Sequence, residues 1–219
     1  MGRGKVIDRA FKAVVLSAVT VLGLLGFAPA SFGQNPQITV SVFSDIPVSR
    51  QLLVRAEQQA QKIFSISGVD IAWIDCTRAN ASDGDGDPAC TKSYGPDDFV
   101  LRISSHVSTV SSDAFGVAFL GSDGRGRYAD VFWKRAQEFG ATSSQGVDRI
   151  LGSVMAHELG HLLLGLNSHS VTGLMRARWG NDELRCLDMG TLVFLPEQGK
   201  RMRARIVDTS SARISSGTR

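Results

Sequence analysis

Cysteine is nearly absent from this chain: Cys76, Cys90 and Cys186 are the only three in 219 residues, which allows one disulfide bridge at most. Beyond its first segment the chain also lacks an excess of either charge. Residues 1–33 hold four of the 24 basic residues and one of the 21 acidic ones, so 20 of each remain. A neutral balance offers no electrostatic footprint for nucleic acid, and no such partner is expected. After the apolar run from Ala13 to Phe27 no second long hydrophobic run occurs, so the rest is expected to be soluble and free of the membrane. Internal repeats and a second domain are lacking too.

The first segment is of a different character. Arg3, Lys5, Arg9 and Lys12 precede the apolar run, and Ala28-Pro29-Ala30-Ser31-Phe32-Gly33 follows it. A charged start, a short apolar stretch and a small-residue exit describe a secretory signal peptide over 1–33, cleaved after Ala30 or Gly33. A retained anchor would need about 20 apolar residues. The expected product is a secreted or periplasmic monomer with one domain over 34–206, large enough for a proper core. A disordered tail rich in Ser, Thr and Arg is expected over 207–219. In an oxidising compartment Cys76 and Cys90, which flank a loop rich in Asp and Gly, are the favoured pair. Closing such a loop contributes about 3 kcal/mol. Three pairings remain formally open.

Strand and helix patterns alternate along the domain. Ile38, Val40 and Val42 alternate with polar residues, as in a half-buried strand. Ser49 precedes a helix with the stripe Leu52, Leu53, Ala56, Ala60, Ile63 and Phe64. Further strands are expected at Ile71–Ile74, Phe99–Ile103, Gly116–Gly121 and Tyr128–Trp133. The loop Asp83–Pro88 lacks the glycine and distal Glu of an EF-hand and reads as plain surface. A helix is expected from Asp148 to Leu164, stopped by Gly165, then a short helix from Asn181 and a last one after Pro196. On that last helix Lys200, Arg201, Arg203 and Arg205 are expected to form a solvated face.

Chemistry concentrates in one place. His157-Glu158-Leu159-Gly160-His161 sets two imidazoles four residues apart, one turn above the other on one helix face. Both can reach one metal ion at about 2.0–2.1 Å, and Glu158 is then placed as general base for the attacking water. The competing reading is a chance string in a core helix, met on the order of once per hundred chains of this length. The apolar helical context, a third imidazole at His169 and a following Met175 favour the metal. His106 is expected to be a surface or loop histidine. The Gly116–Gly121 strand reads equally as the upper edge of a cleft, where a peptide adds as a strand, or as an ordinary buried strand.

His157, Glu158 and His161 on a helix, with Gly165, His169 and the Gly173-Leu174-Met175 turn, resemble the metzincin zinc endopeptidases, nearest in compactness to the matrixins. The resemblance is sharp over 150–179 and architectural over 36–149. It implies an α+β, zincin-like fold: a twisted, mostly antiparallel-edged five-stranded sheet with a long helix, an active-site helix and C-terminal helices. It also implies one zinc per chain held by His157, His161 and His169, with Met175 flooring the site and peptide or protein substrates. The spacing departs from the clan's pattern H-E-x-x-H-x-x-G-x-x-H. Gly165 comes one residue late and His169 two, with Asn167 at the usual place of the third His.

Two alternatives stay beside the secreted zinc endopeptidase. One is a secreted zinc-binding protein without protease activity, which needs no general base. The other is a gluzincin-type peptidase in which Glu183, 22 residues after His161, is the third ligand.

Overall fold

The computed structural model describes residues 34–77, 88–91, 95–105, 114–141 and 146–216. His106 and most of the Asp83–Pro88 loop lie outside them. Along the chain run β1 (Gln37–Ser44), α1 (Arg50–Ile66), β2 (Asp70–Asp75), a 3₁₀ turn (Pro88–Thr91), β3 (Asp98–Ser104), β4 (Gly116–Phe119), β5 (Tyr128–Phe132), α2 (Trp133–Ala141), α3 (Val147–Leu164), α4 (Asn181–Asp188) and α5 (Pro196–Ser216). Among the described residues no helix is long and apolar enough to cross a membrane.

The strands form one sheet in the order β2-β1-β3-β5-β4. Three of its four pairings are parallel, and only β4 runs antiparallel, against β5. The expected mostly antiparallel edging is met at one edge, β4, and not at the other, β2, which is parallel. β1 reaches β2 through α1, and a helical crossover returns the chain to the same end of the sheet, which makes neighbouring strands parallel. Antiparallel pairing is confined to β4 and β5, which the short turn after Phe119 joins directly.

Alternation in the strands turns Ile38, Val40, Val42, Phe99, Leu101, Ile103 and Val131 into the core. Ser49 caps α1 by accepting the Leu52 N–H at 3.3 Å, and Leu53, Ala56, Ala60, Ile63 and Phe64 are buried. Leu52 is only half-buried. Beside α1 lies α3, buried on nearly every side from Ile150 to Leu164, as expected of a helix apolar all round. Gly152 lets the two approach. A Cβ there would stand 2.2 Å from the Ala56 carbonyl oxygen and 2.7 Å from the Gln59 Cβ. Gly152→Ala is therefore expected to destabilise the domain by about 1–3 kcal/mol, the ordinary range for overpacking. In thermal unfolding this is a fall of roughly 2–12 °C. An unchanged Tm would show that the helices can part at no cost.

Cys76 and Cys90 are bridged, with Cα atoms 5.7 Å apart, and Cys186 is free. The β4 strand ends at Phe119 rather than Gly121, and β5 ends at Phe132 because Trp133 opens α2, a helix the periodicity does not announce.

The C-terminal segment departs most from expectation. α5 is helical through Ser216, past the point where a tail was expected. The hydroxyls of Thr209, Ser210 and Ser211 donate to the carbonyls of Arg205, Ile206 and Val207 four residues back, and Thr209 and Ser210 also bond Asp97. The expected solvated face is met at Lys200 and Arg201, which are exposed, and not at Arg203 and Arg205, which are half-buried. Arg201 donates to the Leu164 carbonyl at 3.0 Å and Arg205 to the Leu163 carbonyl at 3.2 Å, both at the end of α3. Arg203 donates to the carbonyl of Ser67, the C-cap of α1. Cations placed on orphan carbonyls at a helix C-terminus stabilise by about 0.3–1 kcal/mol each.

Candidate metal centre

The last turns of α3 carry His157, Glu158 and His161. The helix ends at Gly165, whose φ of 81° suits glycine and whose N–H bonds the His161 carbonyl at 2.9 Å. The chain then turns through Leu166 and Asn167. Asn167 has φ 54°, the left-handed region that Asn tolerates better than most residues. This wider turn brings His169 back to the helical pair despite its late position. One nitrogen from each of His157, His161 and His169 lies within 4.8 Å of the others. The His161 and His169 rings stand 4.6 Å apart and those of His157 and His169 5.7 Å.

Outer groups aim these rings. His157 Nδ1 is 2.7 Å from the Leu174 carbonyl oxygen, which can only accept, so the neutral ring carries its proton on Nδ1 and leaves Nε2 bare. His161 Nδ1 is 2.7 Å from the hydroxyl of buried Ser168. The two Nε2 atoms then face each other at 3.1 Å. Two ligand nitrogens of one tetrahedral zinc stand about 3.3 Å apart, close to this separation. Burial pushes His157 down to about 4 and His161 to about 3, the latter helped by the neighbouring imidazoles, while burial also lowers His169. Three neutral imidazoles converging on one point form a donor set that fits zinc.

The loop after His169 is fixed from several sides. Ser170 N–H bonds the Met175 carbonyl at 2.9 Å, and Leu174 N–H bonds that of Val193. Gln198 on α5 donates to the Ser168 carbonyl at 3.4 Å and the Ser170 hydroxyl at 3.3 Å, while its own oxygen accepts from Leu195 N–H. Met175 is fully buried beneath α3. A Cβ on Gly160 would stand 2.8 Å from its sulfur, so the glycine admits it.

Glu158 is buried and lies outside the converging nitrogens. Desolvation, and after it the charge of Asp130, pushes its carboxyl up to about 8. It packs against β4, where a Cβ on Gly116 would stand 2.7 Å from Glu158 Cγ and 2.5 Å from the Asp130 carbonyl oxygen. Both open into a cleft of about 360 Å³, also lined by Phe115, Val117, Arg178 and Trp179.

Glu183 is not brought to the imidazoles. Its carboxylate accepts from Arg176 Nη1 at 2.7 Å and from the Gly180 N–H at 2.9 Å, which opens α4 and removes it as third ligand. Asn167 is exposed and serves the turn. Trp179 carries no motif, yet its indole N–H donates at 3.1 Å to the same Leu174 carbonyl that aims His157, and its ring stands 5.7 Å from that of His157. Ser168 and Gln198 are likewise invisible in sequence, because their partners lie on other elements, whereas Gly116 opens the strand read as a candidate cleft edge. A further signal is the oversized turn between Gly165 and His169.

No family model matches the chain, and no curated protein sequence matches it. Among solved structures the chain is similar to archaemetzincin from Methanopyrus kandleri, at 16% identity and a TM-score of 0.47, with 80% of this chain and 98% of that one covered. It is also similar to a zinc-dependent peptidase from Methanocorpusculum labreanum, at 15% identity and a TM-score of 0.49, with 74% of this chain and 99% of that one covered.

Proposed function

We propose that this chain is an exported zinc-dependent endopeptidase. The observation that carries the reading is the convergence of the His157, His161 and His169 nitrogens at the floor of an open cleft, with buried Glu158 beside them but outside the ligand set. Bound by these imidazoles, zinc supplies Lewis acidity to a peptide carbonyl and to the attacking water. In its ionised form Glu158 takes the proton of that water on a carboxylate oxygen and returns it to the leaving amine. Gly116 keeps the space that Glu158 occupies. β4 ends the sheet, so its second edge is free of strand partners among the described residues, and an extended peptide can pair with it there. Recognition through backbone groups along a strand suits internal peptide bonds. Export rests on the charged and apolar pattern of residues 1–33, and the Cys76–Cys90 bridge supports an oxidising compartment.

The test is metal analysis of the purified whole chain together with digestion of a mixed peptide library. One zinc per chain is expected, with cleavage of internal bonds that stops on chelation and returns with added zinc. A zinc-loaded protein that cleaves no peptide would overturn the peptidase reading and leave a zinc-binding module.

A further inference from the structure

Two guanidinium groups, those of Arg176 and Arg178, belong to residues lining the cleft, and a third, Arg135, lies by Phe115, whose ring stands 5.5 Å from that of Trp179. Arg135 lies 5.8 Å from the Phe115 centroid and bonds Glu138 at 2.9 Å. Arg176 bonds Glu183 at 2.7 Å. The fold thus answers two of the three with carboxylates of its own. Arg178 is exposed, lines the cleft, and makes no ion pair among the described residues. The cleft's lining offers it no acid either. Glu158 is the one carboxylate there among the described residues, and it is buried against Gly116.

We infer that Arg178 is a specificity-determining residue and that the cleft selects peptides which set a carboxylate against it; this rests on the peptidase reading above. A guanidinium is always charged, and its planar fork matches a carboxylate with two parallel hydrogen bonds. Such a charge-assisted pair is stronger than a neutral hydrogen bond, and a neutral amide of the same shape forfeits the charge. Arg178 lines the same cleft as His157, His161 and His169. A carboxylate held by it therefore belongs to a peptide seated in the cleft that holds the imidazoles. Two sources share this chemistry: an Asp or Glu side chain, and the terminal carboxylate of a short peptide.

Two matched peptide pairs separate them. One pair is blocked at both ends and differs by Glu against Gln at each position near the cleaved bond. The other differs by a free or amidated C-terminus. With the zinc-loaded whole chain, one pair is expected to show kcat/KM about tenfold or more higher for the carboxylate member. Arg178→Gln is expected to bring that ratio to within about twofold of one, and Arg178→Lys to restore part of it. Which pair separates identifies the source. Equal rates within both pairs, or a preference that survives Arg178→Gln at full zinc content, overturns the assignment. The same peptides, bearing an uncharged fluorophore, are titrated against zinc-loaded Glu158→Gln protein by fluorescence polarisation. If nothing is ever cleaved but binding keeps an Arg178-dependent carboxylate preference, the specificity inference stands and the peptidase reading falls. Binding without preference sinks the inference on its own.

Discussion

Replacing Glu158 by Gln is expected to lower kcat/KM by between about 10² and 10⁴, the range general acid–base catalysis contributes, while zinc stays bound at one per chain. Gln keeps the shape of the side chain, so its fit against Gly116 survives. What is lost is an oxygen that accepts a proton. Because Glu158 lies outside the set of converging nitrogens, the metal has no reason to leave with it. Steady-state kinetics beside metal analysis separates the possibilities. A variant that purifies without zinc would make Glu158 a ligand, and one that keeps full activity would remove it from the reaction altogether.

The second large effect is expected at the end of the oversized turn. His169→Ala should weaken zinc binding by at least about 100-fold, more than the loss typical of an outer hydrogen-bond partner. Asn167→Gly should leave it nearly unchanged. Asn167 occupies a left-handed φ of 54° that glycine adopts without strain, and its side chain is exposed. Competition against a chromophoric chelator measures both variants. The reverse ranking would place the third ligand at 167 and make the present turn wrong. Zinc lost equally from both would show instead that the turn, rather than one imidazole, holds the ion.

Sequence made some levels of this molecule legible and hid others, for physical reasons. The stripe of α1 with its Ser49 cap, the two imidazoles on α3 and the Cys76–Cys90 pair are encoded within one element or one loop, where spacing maps directly onto geometry. The helix α2 was hidden because only Ala136 of its residues is buried, leaving no apolar stripe to read. The parallel pairings depend on crossovers, which alternation within a strand does not specify. The bonds made by the arginines of α5 are not legible in sequence because the carbonyls they reach, at Ser67, Leu163 and Leu164, lie 37 to 136 residues away. Around the imidazoles the same division holds. Ligand types were readable, whereas Ser168, Gln198 and Trp179 act through partners that only folding brings near.

The bonds from Gln198 to Ser168 and Ser170 have a consequence for the order in which the molecule is finished. All three imidazoles are synthesised by residue 169, yet a clamp on their loop, and the cations on the end of α3, come from a helix made afterwards. A nascent chain still short of α5 therefore owns its ligands without the brace that holds them in register. Loss of α5 to a nicking protease would undo that brace without touching a single ligand. The centre is thus linked to the integrity of its own C-terminal helix, and a clipped molecule is expected to surrender its metal more readily than an intact one.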